Sequence, residues 1–460
     1  MITPSFFRWP AILCLALLTA CSALPVIVPD MAVRDKPLQI DGARGPMSPA
    51  RTRQIIERLQ AGGQPTGIFE RHLALEQELS DTPLLAGNRV TLLQDGPSTY
   101  QAMFAAIERA QDHINMETYI IEDDEVGERF SMALIDKQRQ GVQVNLIYDS
   151  VGTIGTPAAF FERLREGGIN LLEFNPVNPL LAKAGWDVNQ RDHRKLLVVD
   201  GTSAFLGGIN ISSVYSGGSF SRNSRQRPGG ELPWRDTDLQ IDGPVVAELQ
   251  KLFIETWQKQ KGPTLPERNY YPTLTRQGNE VVRAIGGAPD EPVSLIYATL
   301  LSAINSAETQ ILVTNAYFVP DPQLLGALKA AVGRGVDVRL ILPSTSDSAL
   351  VFHAGRSYYD DLLRHGVRIF ERHGALLHAK TALIDGVWST VGSTNLDWRS
   401  FLHNQEVNAV ILGTEFGARM QAAFDHDLAE SQEITLAQWR RRTLDQRLKE
   451  SFGRLWQYWL

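Results

Sequence analysis

The sequence contains two copies of one pattern: a histidine, a lysine two positions later, and an aspartate after four further residues. The two copies are His193/Lys195/Asp200 and His378/Lys380/Asp385. A repeat of roughly 190 residues is too long for a solenoid of small units, so the pattern predicts two homologous domains. This duplication constrains the fold strongly, because both halves must then share one architecture.

Strands and helices are predicted in the same order in both halves. In the first half, apolar periodicity predicts helices over residues 99–111 and 125–140, followed by a β-branched strand over 142–148. In the second half, a helix over 322–334 precedes a matching strand over 336–342. Strands that alternate with helices predict an α/β fold in which each half is a mixed β-sheet flanked by helices.

The repeat also suggests a division of the 460 residues into segments. Residues 88–265 and 266–435 are predicted as the two homologous domains. Residues 21–87 are polar and helix-like, and are predicted as a linker or helical pre-domain. Residues 1–20 are predicted as a signal peptide, and residues 436–460 as a basic, aromatic C-terminal helix.

The N-terminus has the features of a secretory signal, with one positive charge before a short apolar run over residues 9–20. The run ends Leu-Thr-Ala-Cys21, which resembles a bacterial lipobox. Lipidation of Cys21 would place the protein in the cell envelope, tethered on the periplasmic side. The alternative is an uncleaved inner-membrane anchor over residues 11–28, although Pro25 interrupts it.

Composition excludes several classes of protein. The 43% apolar and 21% charged residues are typical of a globular chain. A net charge of −7 argues against a general nucleic-acid binder, although a few local cations can still bind one phosphate. The only cysteines, Cys14 and Cys21, exclude a disulfide framework and a cysteine-rich zinc site. No residues have metal-ligand spacing, so neither a metal nor another cofactor is expected, and no obligate protein partner is inferred.

Each motif is followed by further matched residues. A Gly-x-x-Asn segment ends at Asn210 in the first half and at Asn395 in the second, where it includes Ser393. A carboxylate then follows at matched positions, Asp236 and Glu406. One His-Lys-Asp pattern arises often by chance, and a single histidine beside a strand is usually structural. Two extended copies in a duplicated chain argue against chance.

Such a set suits phosphodiester chemistry. One imidazole can attack phosphorus and form a covalent phosphohistidine. The other can protonate the leaving alkoxide and then deprotonate the incoming hydroxyl. Two residues apart on a predicted strand, His193 and Lys195 point to one face. Asp236 and Glu406 are predicted to orient the imidazoles. The side chains predicted to hold the phosphate oxygens are Lys195, Lys380, Asn210, Asn395 and Ser393.

Residues 88–460 resemble the phospholipase D superfamily and, within it, the bacterial cardiolipin synthases. Besides the doubled motif, the matching segments are 117–125, 234–238, 317–321 and 392–400. The resemblance implies a single site at a pseudo-twofold interface, with His193 as nucleophile and His378 as general acid and base, or the reverse. It also implies that Asp200 and Asp385 support the site rather than act on substrate.

The resemblance implies phosphatidyl transfer between phospholipids, with cardiolipin as the expected product. The chain resembles the shorter members, which lack two N-terminal transmembrane helices. An external lipoprotein is unusual for lipid synthesis, so the substrate pair stays open. The rival hypotheses are hydrolysis of a phospholipid by the same intermediate, a nuclease, and a catalytically silent lipid-binding protein.

The C-terminal segment suggests contact with a membrane surface. Leu444, Leu448, Phe452, Leu455 and Trp459 fall on one face of a predicted helix. The basic residues nearby are Arg440, Arg441, Arg442, Arg447, Lys449 and Arg454. This pattern suits a helix that lies on an anionic membrane. An ordinary helix packed on the catalytic domain is the alternative.

Overall fold

The computed structural model describes residues 38–63, 66–73, 76–77, 82–181, 186–217, 232–291 and 294–460. The predicted signal peptide, residues 1–20, and the predicted lipidation site, Cys21, lie outside these ranges. Within them, no helix combines the length and the apolarity that crossing a bilayer requires.

The N-terminal part of the described chain packs against the second half of the molecule. It comprises strand β1 (Ile40–Gly42), strand β2 (Gly45–Pro46) and helix α1 (Pro49–Gln60). Ile55 and Leu59 of α1 are buried in the core of the second half. Ile40 of β1 pairs in parallel with Leu84. The described part of residues 21–87 therefore packs against the second half, because its apolar face completes that core.

The first half contains a seven-stranded mixed sheet. The strands of the first half are β3 (Leu84–Leu93), β4 (His113–Thr118), β5 (Gln143–Asp149), β6 (Asn170–Phe174), β7 (Arg191–Asp192), β8 (Leu196–Val199), β9 (Ser203–Gly207), β10 (Trp234–Arg235) and β11 (Asp238–Asp242), of which the short β7 and β10 lie outside this sheet. Its helices are α2 (Gly96–Arg109), α3 (Glu125–Arg139), α4 (Ala158–Glu166) and α5 (Val246–Lys259). The sheet order is β6-β5-β4-β8-β9-β11-β3, in which β4, β5 and β6 are parallel and the other neighbours antiparallel.

The second half repeats this arrangement. Its strands are β12 (Glu280–Gly287), β13 (Gln310–Asn315), β14 (Asp337–Pro343), β15 (Arg368–Arg372), β16 (Leu376–Leu377), β17 (Lys380–Ile384), β18 (Trp388–Gly392), β19 (Asn404–Leu412) and β20 (Ser431–Ile434). Its helices are α6 (Leu295–Ser306), α7 (Pro322–Gly333), α8 (Ala349–Arg356), α9 (Tyr359–Arg364), α10 (Trp398–Leu402) and α11 (Thr414–Ala429). The order β15-β14-β13-β17-β18-β19-β12 matches the first half strand for strand, which confirms the predicted duplication and fold class.

The two sheets are joined edge to edge and share a core. β3 pairs antiparallel with β12, with Ala86 opposite Val281. Helices α5 and α11 contribute Phe253 and Phe416 to one apolar cluster that also contains strand residues of both halves. Each half has a further core on its outer side. The halves are therefore held together by continuous apolar packing as well as by strand pairing.

The chain ends in two helices and a 3₁₀ turn. These are α12 (Leu436–Arg440), α13 (Leu444–Leu455) and the turn Gln457–Trp459. Glu450 and Gly453 on α13 are buried, and a Cβ added at Gly453 would lie 2.6 Å from the backbone nitrogen of Ala354 in α8. One face of α13 is thus packed on the domain.

Candidate active site

Two short strand pairings across the halves place the motif histidines. β7 runs parallel to the start of β19, and β10 runs parallel to β16. Directly after these pairs, the backbone N–H of His193 donates to the carbonyl of Gln405 (2.9 Å), and that of His378 donates to the carbonyl of Arg235 (2.7 Å). Each histidine therefore lies directly after the short strand through which its half pairs with the other half.

The same pairings cross the histidines with the carboxylates. His193 Nδ1 lies 3.1 Å from both carboxylate oxygens of Glu406, and His378 Nδ1 lies 2.6 Å from Asp236 Oδ2. All four side chains are buried. Each imidazole is thus oriented by the other half, a pairing that the sequence had left open. With Nδ1–H donated to the carboxylate, the free lone pair of a neutral ring sits on Nε2.

The predicted strand through His193 and Lys195 is interrupted in the structure. β7 ends at Asp192 and β8 begins at Leu196, so the motif lies between two strands. The physical reason is a change of partner: β7 pairs with β19 of the other half, whereas β8 pairs with β4 and β9 of its own half. The segment with His193 and Lys195 therefore lies where the chain stops pairing with the other half and starts pairing within its own half.

The motif aspartates occupy tight turns. Asp200 and Asp385 have φ values of 52° and 51°, and each is followed by a glycine with positive φ, the conformation of a type I′ hairpin. Asp200 accepts hydrogen bonds from three consecutive backbone N–H groups, those of Gln111, Asp112 and His113. Asp385 accepts from the N–H groups of Glu308, Thr309 and Gln310, and from the hydroxyl of Thr66. Each carboxylate therefore fixes its own hairpin turn to the start of a neighbouring strand, which is β4 for Asp200 and β13 for Asp385.

The motif lysines are buried beside the histidines. The ammonium of Lys195 donates to the carbonyl of His193, and that of Lys380 donates to the carbonyl of His378. Lys195 Nζ also lies 5.1 Å from the centre of the Tyr119 ring. Burial lowers the pKa of Lys195 to about 7 and that of Lys380 to about 8. The carboxylates of Glu406 and Asp236 oppose these shifts only in part, so both lysines lose a proton more readily than an exposed lysine.

Burial also lowers the pKa of both motif histidines. It is the first cause that lowers the pKa of His193 well below its usual value, and the charges of Lys195 and Lys380 lower it further. Burial likewise lowers the pKa of His378, but there Asp236 opposes the shift. Because a lowered pKa favours the neutral ring, both imidazoles are uncharged in the empty site near neutral pH.

The two predicted amides differ in their surroundings. Asn210 accepts from the backbone N–H of Ile120 (3.1 Å) and donates to the Tyr215 hydroxyl (3.0 Å). The side-chain oxygen of Asn395 is buried and has no hydrogen-bond partner among the described residues. Both residues line the cavity that contains the histidines. The structure thus brings both amides to the predicted location.

Ser393, which is predicted to contact phosphate, contacts Glu406 and Val407 in the structure. Its hydroxyl donates to Glu406 Oε2 (2.5 Å) and accepts from the N–H of Val407 (3.0 Å). The first half has Gly208 at the matching position. A Cβ there would lie 2.2 Å from Asp236 Oδ1, so a glycine is needed to make room for that carboxylate. The residue at this position therefore matches the carboxylate beside it: Gly208 leaves space for Asp236, and Ser393 donates to Glu406.

One cavity of about 260 Å³ contains both histidines. Its wall includes several side chains to which the sequence had assigned no role: Tyr119, Arg191, Trp234, Tyr317, Asp347, Asp397 and Arg399. The ring centres of Tyr119 and Trp234 lie 5.1 and 4.9 Å from those of His193 and His378. Five of these seven residues fall within the flanking segments 117–125, 234–238, 317–321 and 392–400. Their position in those segments could therefore have identified these five residues as candidates for the cavity wall.

The sequence matches known proteins over most of its length. Residues 103–223 and 300–428 match the family described as cardiolipin synthase, phospholipase D-like domain. The cardiolipin synthase of Geobacillus kaustophilus is 36% identical over 386 residues, which is 83% of this chain and 74% of that protein. Cardiolipin synthase A of Pseudomonas putida is 36% identical over 364 residues, 78% of this chain and 72% of that protein.

Solved structures agree on the fold. The phosphatidylserine synthase of Haemophilus influenzae superposes with a TM-score of 0.62 at 14% identity, over 84% of this chain and 99% of that one. The polyphosphate kinase of Porphyromonas gingivalis gives 0.51 at 11% identity, over 80% and 52%. At these identities the likeness establishes the fold alone. Together with the family match, which covers more than half of the chain, the relatives show that the protein belongs to the cardiolipin synthase family of phospholipase D-like phosphatidyltransferases.

Proposed function

We propose that this enzyme transfers a phosphatidyl group from one phospholipid to the head-group hydroxyl of another, and that its product is cardiolipin. The observation that carries the proposal is the pair of buried imidazoles, each held by a carboxylate of the other half, in one cavity. The names of the relatives supply the substrate class.

In the first step, Nε2 of His193 attacks the phosphorus of the donor lipid. A nitrogen–phosphorus bond forms as the bond from phosphorus to the leaving alcohol breaks. His378, protonated in the substrate complex, gives the proton on its Nε2 to the departing oxygen. The arriving phosphate is an anion and favours the charged form of His378, which Asp236 already favours at 2.6 Å.

In the second step, the acceptor hydroxyl gives its proton to Nε2 of His378 while its oxygen attacks phosphorus. The nitrogen–phosphorus bond breaks, and His193 returns to its neutral state. Throughout both steps, the ammonium groups of Lys195 and Lys380 stabilise negative charge on the non-bridging oxygens. Arg191 and Arg399 on the cavity wall add positive potential.

The unequal carboxylate contacts support the assignment of the two roles. Asp236 binds His378 through one short contact of 2.6 Å, which favours the imidazolium needed in a general acid. Glu406 contacts His193 at 3.1 Å and shares a carboxylate oxygen with Ser393. His193 is therefore the ring that more readily remains neutral and nucleophilic.

The reaction is tested by incubating the purified protein with phosphatidylglycerol, with and without phosphatidylethanolamine, and following products by mass spectrometry. Cardiolipin is expected. Phosphatidic acid without cardiolipin would show that water is the acceptor, and would overturn the synthase proposal. His193→Gln should make no cardiolipin, because it removes the nucleophile. His365→Gln, at an exposed histidine, is the matched control and should keep its activity.

The mechanism is tested by trapping the intermediate with labelled lipid. His193→Ala is expected to abolish the covalent phosphatidyl adduct, because it removes the nucleophile. In His378→Ala, a donor with a good leaving group should still form the adduct, and the adduct should then decay slowly. The reverse pattern would mean that the two histidines exchange roles.

We also propose that Cys21 is lipidated and anchors the enzyme to a membrane of the cell envelope, on the periplasmic side. The lipobox-like sequence supports this proposal. Mass spectrometry of protein isolated from a bacterial envelope should find residues 1–20 removed and acyl chains on Cys21, and Cys21→Ser should lose them. Full-length protein with an unmodified Cys21 would favour the uncleaved anchor.

A further inference from the structure

Helix α13 exposes a continuous apolar stripe. Its members are Leu444, Leu448, Phe452 and Leu455, which are 76%, 71%, 58% and 80% exposed. Trp456 and Trp459 continue the stripe and are also exposed. Leaving four large apolar side chains of one short helix in water is unfavourable, so a stripe of this kind marks a surface that a partner covers.

The stripe lies opposite the face that packs on the domain. At 100° per residue, the four stripe residues span about 80° of the helix, and the buried Glu450 and Gly453 point away from it. Arg442 Nε donates to Glu450 (2.8 Å), and Gly453 sits against α8. The helix is thus anchored through one face, and its apolar face is free to contact a partner.

The charge around the stripe indicates an anionic partner. Residues 436–460 carry six basic and two acidic side chains, within a chain of net charge −7. Five of the basic residues are exposed: Arg440, Arg441, Arg447, Lys449 and Arg454. Exposed tryptophans beside an apolar stripe and a basic flank are typical of a helix lying in the interface of an anionic bilayer.

The stripe leads directly to the active-site cavity. Trp459 and Leu460 line the cavity that holds both histidines. The backbone N–H of Arg399, another lining residue, donates to the carbonyl of Leu460 (2.9 Å). The rings of Trp398 and Tyr458 lie 5.8 Å apart. A surface that docks on the stripe would therefore lie beside the cavity mouth.

The first half contributes a further exposed apolar side chain close to the lining residue Arg399. Arg399 donates to both the side chain and the backbone carbonyl of Asn189 (3.0 Å each). Val188, next to Asn189, is exposed. An exposed apolar residue therefore occurs beside the contact with Arg399 as well as on α13.

We propose that the stripe of Leu444, Leu448, Phe452 and Leu455 inserts into the interface of an anionic bilayer, so that the cavity opens onto the lipid surface. This inference rests on the proposed function, since it explains how lipid head groups reach two buried histidines. A second copy of the chain would also cover an apolar stripe, but the basic flank favours an anionic lipid surface over an equally basic copy.

The first test measures insertion directly. An environment-sensitive fluorophore is attached at Leu448→Cys in the full chain, with Cys14 and Cys21 replaced by serine. On phosphatidylglycerol vesicles we expect a blue shift, and quenching by brominated acyl chains. The control is the same fluorophore at Met132→Cys on α3, because Met132 is as exposed as Phe452. Equal responses from both positions would overturn the proposal, and this readout does not depend on activity.

The second test measures the consequence for turnover. We expect Leu448→Ser/Phe452→Ser to lower turnover of vesicle substrate by roughly tenfold or more, because two apolar side chains can then no longer insert into the bilayer. In mixed detergent micelles, turnover should stay within about twofold of the wild type, as it should for Met132→Ser on both substrates. An unchanged melting temperature would show that the fold is intact. Loss in both assays, or in neither, would contradict the proposal.

A third result would separate lipid from protein docking. If the double variant changed a dimer into a monomer and left vesicle insertion unaffected, the stripe would be a subunit interface and the proposal would be wrong. If the fluorophore at Leu448→Cys entered the vesicle membrane but the wild type made no cardiolipin, the docking inference would stand and the proposed reaction would fail.

Discussion

Gly208 and Ser393 occupy matching positions in the two halves, and each suits the carboxylate that it faces. The shorter Asp236 lies where a Cβ at Gly208 would stand, whereas the longer Glu406 reaches the Ser393 hydroxyl. The two halves therefore differ at two coupled positions. The first half combines glycine with the shorter aspartate, and the second combines serine with the longer glutamate.

Gly208→Ala should displace Asp236 and misalign His378. A displacement of about 1 Å at a catalytic group is enough to lower turnover by about a hundredfold, so we expect a loss of at least that size. The measurement is kcat for phosphatidyl transfer, with melting temperature as a check on folding. Gly326→Ala, at a glycine with open space around it, is the control. Full activity in Gly208→Ala would show that Asp236 tolerates movement.

Ser393→Ala should lower kcat by about tenfold, the usual scale for losing an outer-shell hydrogen bond. If Ser393 acts through Glu406, the same substitution should have almost no further effect in a Glu406→Gln background. A double-mutant cycle on kcat decides this. Additive losses would show that Ser393 acts independently of Glu406 and would favour direct contact of its hydroxyl with phosphate.

The buried lysines should set the alkaline limit of activity. Their pKa values, about 7 for Lys195 and about 8 for Lys380, mean that raising the pH removes positive charge from the empty site. We expect kcat/KM to fall as pH rises through 7–8, and kcat to fall at a higher pH, because bound phosphate favours the charged lysines. Lys195→Arg should move the onset of the fall from about pH 7 to about pH 8, where Lys380 loses its proton, since guanidinium stays protonated. An unchanged limb would contradict this assignment.

At the scale of elements, the main strands and helices could be predicted and the connections between the halves could not. The strand predicted over 336–342 is observed at Asp337–Pro343, and the helix predicted over 322–334 at Pro322–Gly333. The pairs β7 with β19 and β10 with β16 bridge the halves by only two residues each. Two residues carry no periodicity, so the sequence identified the histidines and carboxylates but not which histidine each carboxylate holds.

A buried ion-pair network supports one of these bridges. Asp427 on α11 accepts from Arg235 Nε (3.0 Å) and Nη2 (2.8 Å), and from Arg372 Nε (3.0 Å). All three side chains are buried. Arg235 immediately precedes Asp236, so this network fixes the backbone that carries the His378 partner.

Asp427→Ala should leave two buried guanidinium groups without their anion. Removing one partner of a buried ion pair costs about 3–5 kcal/mol of unfolding free energy, and we expect a loss in that range. Denaturant unfolding measures it, and the exposed pair Lys259–Asp290 supplies a control, since Asp290→Ala should change stability by less than about 1 kcal/mol. Equal small effects would show that the network is dispensable.

At the scale of the whole molecule, the two halves form one structure around one site. The N-terminal segment adds Ile55 and Leu59 to the second core, and the chain then enters the first sheet through β3, which also pairs with β12. The pseudo-twofold arrangement is what places two copies of one motif in a single cavity. Neither half alone contains a histidine together with the carboxylate that orients it.

This shared construction predicts a single cooperative unfolding transition. Because the central cluster mixes residues of both halves, destabilising either half should lower the stability of the whole. Phe160→Ala, in the outer core of the first half, should cost about 3–5 kcal/mol and shift the entire denaturation curve. The measurements are far-UV circular dichroism and tryptophan fluorescence, with Trp388 of the second half as a buried reporter. Coincident curves are expected in wild type and variant, whereas a separate first transition in Phe160→Ala would mean that the halves unfold independently.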